Sequence, residues 1–260
     1  MEIHPSAVVS PKAELAPGVK IGPYSMIGDH VTIGRDTVIG PHVIIEGHTK
    51  IGEQNRVYPF VSIGSPPQDI GYQGEDTRLI IGIIGDNNII REYATINRAT
   101  TKQEWETVIG NRNYIMAYAH IAHDCYLGDK IIISNVVTLG GHITIGDYAI
   151  LGGLVAVHQF VRIGAYAFLG AKSGIDRDVP PFMITSGPRA RLYGINRKGL
   201  RRFGFSQEAI DGLKQAYRII WRDNKRFSEG INQVRREIRS FPELEMLLSF
   251  FNGSKRGVLR

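Results

Sequence analysis

Aliphatic side chains recur at every sixth residue along most of this chain. Ile3, Val9, Leu15, Ile21, Ile27, Ile33, Ile39, Ile45, Ile51, Val57 and Ile63 form a first series. Ile84, Ile90 and Ile96 form a short second one. Ile109 opens a third, which continues through Ile115, Ile121, Leu127, Ile133, Leu139, Ile145, Leu151, Val157, Ile163, Leu169 and Ile175. Four residues after the aliphatic stands a mostly small or β-branched residue, as at Ser25, Val31, Thr37, Ala94, Ala119, Val137, Ala149 and Ala167. Glycine often follows the aliphatic directly, as in IGPYSM, IGDHVT and IGRDTV. A six-residue period matches neither the 3.6-residue helix nor plain strand alternation. It matches a parallel β-helix in which each hexapeptide gives one short strand and one turn, three to a triangular coil. The aliphatic points inward, the small residue fills the corner, and glycine is expected to relieve the turn. The 26 registered positions, three per coil, predict about nine coils.

The register breaks twice, and the breaks read as loops thrown out of the prism, about 65–78 and 97–107. Long loops on a rigid solenoid are where function concentrates. After DVPPFMITSGP the period becomes helical. Residues 206–223 place Ile210, Leu213, Ala216, Tyr217 and Ile220 at helical intervals, a second helix fits SEGINQVRREI, and a third fits SFPELEMLLSFF, opened by a capping box of Ser240 and Glu243. The predicted organisation is a β-helix over 1–187 and a small α-helical domain over 188–260, an all-β solenoid followed by helices.

Charge sharpens that division. Residues 191–260 carry 16 Lys/Arg against 7 Asp/Glu, whereas residues 1–190 carry 15 against 18. A basic tail on a mildly acidic body calls for an anionic partner. The tail holds no nucleic-acid recognition motif, so nucleic acid is not the expected partner. No apolar run approaches a membrane span, and the opening MEIHPSAVVS lacks the basic-then-apolar pattern of a signal peptide. A single cysteine, Cys125, rules out an internal disulfide framework and fits a cytoplasmic protein.

The candidate chemistry gathers in AHIAHDC, residues 119–125. With Ile121 inward, Cys125 takes the small-residue slot and packs. His123 and Asp124 take the turn positions, which face outward, and His120 also points away from the core. One coil is 18 residues, so position 123 stacks against Gly141 in the run Gly140–Gly141–His142, and the next coil brings His158. A histidine beside a carboxylate can act as a general base near neutral pH. A bare glycine N–H next to it suits an oxyanion donor. The same histidines could instead bind zinc, although the His120-x-x-His123 spacing offers no clear ligand set on this geometry.

The solenoid together with HIAHDC, GGHIT, AVHQF, DVPPF and GINRKGLRRFGFS resembles, over essentially all 260 residues, the UDP-N-acetylglucosamine acyltransferases among the hexapeptide-repeat acyltransferases. The resemblance implies a left-handed β-helix, a homotrimer with its site between subunits, and no cofactor or metal. It implies transfer of a 3-hydroxyacyl group from acyl carrier protein to the 3-position of UDP-GlcNAc, the first step of lipid A biosynthesis. By the same resemblance His123 is the general base, Asp124 its acidic neighbour and the Gly141 N–H the oxyanion donor. His120, His142 and His158 surround substrate, Gln68 and Asp69 contact the sugar, and Asn196 and Arg202 face the nucleotide. Ala171, with Phe168 nearby, limits acyl length and implies a medium-length chain.

Three positions depart from the family's pattern. Gly71 follows Gln68-Asp69-Ile70 where the family has a lysine, Lys198 stands in place of an acid, and Phe203 in place of a second arginine. They leave open the 3-amino analogue of UDP-GlcNAc as acceptor, with an amide product. Other β-helical functions also remain open: a coenzyme A-dependent sugar acetyltransferase, a zinc hydratase, or a non-enzymatic scaffold.

Overall fold

The computed structural model describes residues 1–81, 87–102, 104–223 and 226–260. Short strands, mostly of two residues, stack in parallel into three sheets that form the faces of a prism. The first face runs from Glu2–Ile3 to Met183–Ser186, the second from Val8–Val9 to Gly174–Ile175, and the third from Glu14–Leu15 to Arg162–Ile163. The pairing advances by one coil per 18 residues where the register is unbroken: Ile121 pairs with Leu139, Leu139 with Val157 and Val157 with Ile175.

The six-residue positions form the core. Ile33, Ile45, Ile63, Ile96, Ile109 and Ile121 are fully buried, and the small slots Val31, Ala94, Val137, Ala149 and Ala167 close the corners. Where a polar residue takes a small slot, its hydroxyl bonds to backbone. Ser25 donates to the Gly40 carbonyl at 2.7 Å and Thr37 to the Gly52 carbonyl at 2.9 Å. Burial of this continuous apolar column is the main stabilising term. In the first strand Ile3 is exposed.

The glycine directly after the aliphatic mostly does not supply the turn, contrary to expectation. The left-handed turn position falls three residues after the aliphatic and is held by side-chain-bearing residues such as Tyr24, Phe60, Asp124, His142 and Phe160. The glycine after the aliphatic is needed for space. At Gly34 a Cβ would lie 2.5 Å from the Gly52 carbonyl carbon of the next coil.

The first face carries ten parallel strands, one more than nine coils would supply. The extra strand is Met183–Ser186, whose Ile184 pairs with Phe168, outside the six-residue register. Arg191–Ile195 then closes that sheet as an antiparallel hairpin partner. In the broken region the register slot between Ile51 and Ile109 is taken by Ile81, through the strand Arg78–Ile81. Ile84 lies outside the described residues.

Two loops leave the prism, 66–77 after the strand Ser62–Ser65 and 98–105 after Thr95–Asn97. Both strands lie on the second face in adjacent coils, and His120–Ile121 is the next rung. The two loops and the His123 turn therefore leave the same edge at successive levels.

Beyond the hairpin come α1 (Arg197–Arg202), α2 (Gln207–Tyr217), a π-helical turn (Arg218–Arg222), α3 (Phe227–Glu237) and α4 (Pro242–Ser249). Ser206 caps α2 by accepting from the Ala209 N–H at 3.1 Å. The capping box expected at Ser240 does not form. Pro242, suited to the first helical position, starts α4 with Phe241 as N-cap, and Ser240 bonds the Glu245 side chain instead. The short α1 was not expected, having Leu200 as its one large apolar residue. Asn196 nucleates it by accepting from the Gly199 N–H at 3.1 Å. Arg162 ties the helices to the solenoid, pairing with Asp178 at 3.0 Å and donating to the Phe250 carbonyl at 2.6 Å.

Candidate active site

His123 and Asp124 occupy a tight turn after the strand His120–Ile121, and Asp124 sits in the left-handed region with φ 57°. His123 Nδ1 lies 2.7 Å from Asp124 Oδ2. Asp124 is held from three further directions. The Thr100 hydroxyl donates to Oδ2 at 2.7 Å, the Thr100 N–H reaches both carboxylate oxygens at 3.1 and 3.2 Å, and the Asp124 N–H donates to Thr107 Oγ1 at 2.8 Å. Burial pushes the Asp124 carboxyl upward, but the bonds from His123 and Thr100, with His142 nearby, outweigh it and leave the group below the usual carboxylate range. The carboxylate therefore stays ionised. It fixes the proton on Nδ1, so that Nε2 carries the free lone pair.

The stacking of 123 against 141 is close. A Cβ on Gly141 would stand 2.4 Å from His123 Cε1 and 2.8 Å from Nε2. The Gly141 N–H has no acceptor among the described residues. His142 packs edge-on to His123, with ring centroids 5.1 Å apart, and stacks on Phe160 at 4.4 Å. Its Nε2 lies 3.8 Å from Asp124 Oδ2, while its Nδ1 is buried without a partner among the described residues. Burial lowers the His142 pKa, with Asp124 opposing and His123 and Lys102 assisting. Burial likewise lowers that of His120, whose Nδ1 pairs with Thr95 Oγ1 at 2.7 Å. His123, Asp124 and His142 are buried, not open as their outward turn positions suggested, because residues of the 98–105 loop lie over the edge. Beside them lies a cavity of about 610 Å³ lined by Glu104, Glu106, Asp124, Tyr126 and His142 among others.

Asp69 on the 66–77 loop accepts from the Gly71 N–H at 2.8 Å and pairs with Lys102 of the 98–105 loop. Its carboxyl is lowered, chiefly by the Lys102 bond and then by Gly71. Gln68 is exposed. One donor atom each of His123, Asp124 and His142 lie within 4.8 Å of one another, close enough for a divalent cation. Both oxygens of Asp124, however, already accept protein hydrogen bonds.

The remaining expected residues lie elsewhere on the chain. Phe168, Asn196 and Arg202 line a separate cavity of about 600 Å³ with Arg197, Lys198 and Arg201. Among the described residues no carboxylate lines it. The Asn196 side chain is spent on capping α1 and on the Tyr166 carbonyl. Phe203 packs edge-on to Tyr148 and Tyr166. His158 does not join the histidine cluster. It is exposed, bonded to its neighbour's carbonyl, and lines a third cavity with Asp176 and Arg189. Ala171 is an exposed turn residue after the first-face strand Phe168–Leu169, on a different edge of the prism from His123. Thr100, Thr107 and Lys102 were not anticipated. The break in register marked the 98–105 loop as exceptional, but not that Thr100 and Lys102 would turn back onto the edge; Thr107 lies on the strand Glu106–Ile109 that follows it.

Known proteins agree with this architecture. The family profile described as UDP-N-acetylglucosamine O-acyltransferase, domain 2, matches residues 178–259, and the bacterial transferase hexapeptide profile matches 30–65 and 106–141. An acyl-[acyl-carrier-protein]–UDP-N-acetylglucosamine O-acyltransferase of Thermodesulfovibrio yellowstonii is 53% identical over 100% of this chain and 99% of its own. One of Syntrophobacter fumaroxidans is 51% identical over 100% of both. A crystal structure of UDP-N-acetylglucosamine O-acyltransferase from Moraxella catarrhalis superposes with a TM-score of 0.96 at 42% identity, covering 100% of both chains. Matched from end to end in sequence and in fold, the chain belongs to the UDP-N-acetylglucosamine O-acyltransferase family.

Proposed function

We propose that this chain transfers a 3-hydroxyacyl group from the thioester of acyl carrier protein to the 3-hydroxyl of UDP-GlcNAc. The observation that carries the reaction type is the His123–Asp124 pair, with Nδ1 engaged at 2.7 Å and the imidazole laid against the bare backbone of Gly141. His123 Nε2 takes the proton of the sugar hydroxyl as its oxygen attacks the thioester carbonyl carbon. The Gly141 N–H donates to the oxyanion that forms. The C–S bond then breaks, and the departing sulfur takes the proton back from the imidazolium. Acyl, proton and thiol balance, and the thioester is already activated, so positioning, base and oxyanion donor suffice.

The residues split between two places on one chain. His120, His123, Asp124, Gly141, His142 and Asp69 gather on the edge of the second face. Phe168, Asn196 and Arg202 lie about three coils further along, roughly 14 Å away along the axis at the strand spacing. A homotrimer in which one subunit's basic cavity faces its neighbour's histidine edge would join these half-sites, and we take that as the working assembly. The unopposed cations Arg197, Lys198, Arg201 and Arg202 suit the diphosphate and the acidic carrier protein. The single cysteine suits a reducing compartment, and the cytoplasm is our proposed location; separately, among the described residues no helix is long and apolar enough to cross a membrane.

The test is incubation of the purified protein with 3-hydroxyacyl carrier protein and equal amounts of UDP-GlcNAc and its 3-amino analogue, with products read by mass spectrometry. The expected product is the ester on UDP-GlcNAc. A dominant amide would reassign the acceptor, and no product with either sugar would overturn the proposal.

A further inference from the structure

We propose that Lys102 is a positioning residue of the acyl-transfer site: reaching over from the 98–105 loop, its ammonium fixes the Asp69 carboxylate of the 66–77 loop in the orientation that receives the sugar of the nucleotide. The inference rests on the function proposed above and assigns a role to a residue outside the His123 turn.

The two oxygens of Asp69 are held from opposite sides. Oδ1 accepts from the Gly71 N–H at 2.8 Å, and Oδ2 pairs with Lys102 Nζ. Gly71 lies directly beside the ammonium: a Cβ there would be in ordinary contact with Nζ, at 3.4 Å. The carboxylate is the better covered partner, with its side chain 17% exposed against 54% for Lys102. The lysine therefore reaches from solvent to the edge of the site and keeps donors free on its outer side.

The same loop also holds the base. The Lys102 N–H donates to Thr100 Oγ1 at 3.3 Å, and that hydroxyl donates to Asp124 Oδ2 at 2.7 Å, which in turn holds His123 Nδ1. Two residues of one loop thus fix the spacing between the carboxylate that orients the base and the carboxylate that would receive the sugar. A second tie keeps the loops in register. Arg98 donates to the Gly64 carbonyl at 2.7 Å and to the Tyr72 hydroxyl at 2.9 Å. With Arg98 fixing the loop bases, the Lys102–Asp69 pair is not required to hold the loops together. A partly exposed ion pair also contributes little to stability. What the pair supplies is the aim of Asp69 at the incoming sugar, and so binding of the nucleotide rather than the reacting geometry at His123.

The test is steady-state kinetics on the full chain, with UDP-GlcNAc varied at saturating acyl carrier protein thioester. The variants are Lys102→Met, Lys102→Arg, Asp69→Asn and the Lys102→Met/Asp69→Asn double variant. Loss of the ammonium should raise KM for the sugar nucleotide by about fivefold, the equivalent of a partly exposed pair, and leave kcat within about twofold. Lys102→Arg should recover most of the lost affinity, and the double variant should be no worse than Asp69→Asn alone. KM unchanged in Lys102→Met, no recovery with arginine, or effects that multiply in the double variant would each overturn the inference. If the wild type acylates the sugar and Lys102→Met matches it, the inference fails alone. If the wild type makes no product, the function fails and takes the inference with it.

Discussion

Gly141→Ala is the smallest change that strikes the center of the site. The new Cβ would stand 2.4 Å from His123 Cε1, 2.8 Å from Nε2 and 3.0 Å from Nδ1, whereas ordinary contact begins near 3.4 Å. The imidazole must retreat by about 1 Å, and a base misplaced by that much can cost about 100-fold in rate. The retreat also stretches or re-aims the 2.7 Å bond to Asp124. Stability should change far less. Gly141 is not in the left-handed region, so alanine brings no backbone strain, and crowding costs about 1–3 kcal/mol at most. The loss of unfolded-chain entropy returns about 0.4–1 kcal/mol of that. For a chain of this size the net corresponds to a few degrees in Tm, at about 2–4 °C per kcal/mol. The assay is kcat for acyl transfer alongside a melting curve. The expected result is a fall of about 100-fold with Tm moved by only a few degrees. Activity within about threefold of wild type would refute the placement of His123 against Gly141 as the working geometry.

Other expectations rest on burial and capping. His120 and His142 should titrate below 6.5 by NMR, because burial disfavours their charged forms. With folded-state values below the unfolded ones, both favour the fold above about pH 6.5 and withdraw that support as pH falls; a midpoint above 6.5 for either would contradict the packing. Cys125 is buried in a corner slot with its thiol pushed up to about 12, so a thiol reagent should leave it unmodified until denaturant is added. Asn196→Ala removes the cap of α1 and the bond to the Tyr166 carbonyl, and should cost about 1–2 kcal/mol by denaturant unfolding; an unchanged midpoint would mean that α1 is held by its packing alone.

Much of the solenoid was legible because a six-residue period, once in register, admits one geometry. The same arithmetic brought Gly141 against His123, since both lie on unbroken coils. It failed where the register broke. Ile81 holds the slot that periodicity assigned to Ile84, because Ile81 stands nine residues before Ile90 and not six. The strand Met183–Ser186 was invisible as a rung, since it pairs without the repeat. His158 is one coil from Gly140 in sequence, yet it turns to its own neighbour's carbonyl and stays in solvent. The largest gap was the 98–105 loop. Lys102 meets Asp69 across 33 residues, and only the fold brings the two loops to one edge. The ammonium beside Asp69 comes from the neighbouring coil and not from position 71, which no local pattern could reveal.

The most direct test of the central claim is the rate of acyl transfer by His123→Ala, measured with saturating donor and acceptor on protein verified to be folded by its melting curve. General-base catalysis of this kind is worth about 10²–10⁴-fold. A loss within that range, with the fold intact, is the predicted result. A folded His123→Ala protein that keeps its rate to within about tenfold would contradict the assignment of the base and, with it, the mechanism built on the His123–Asp124 pair.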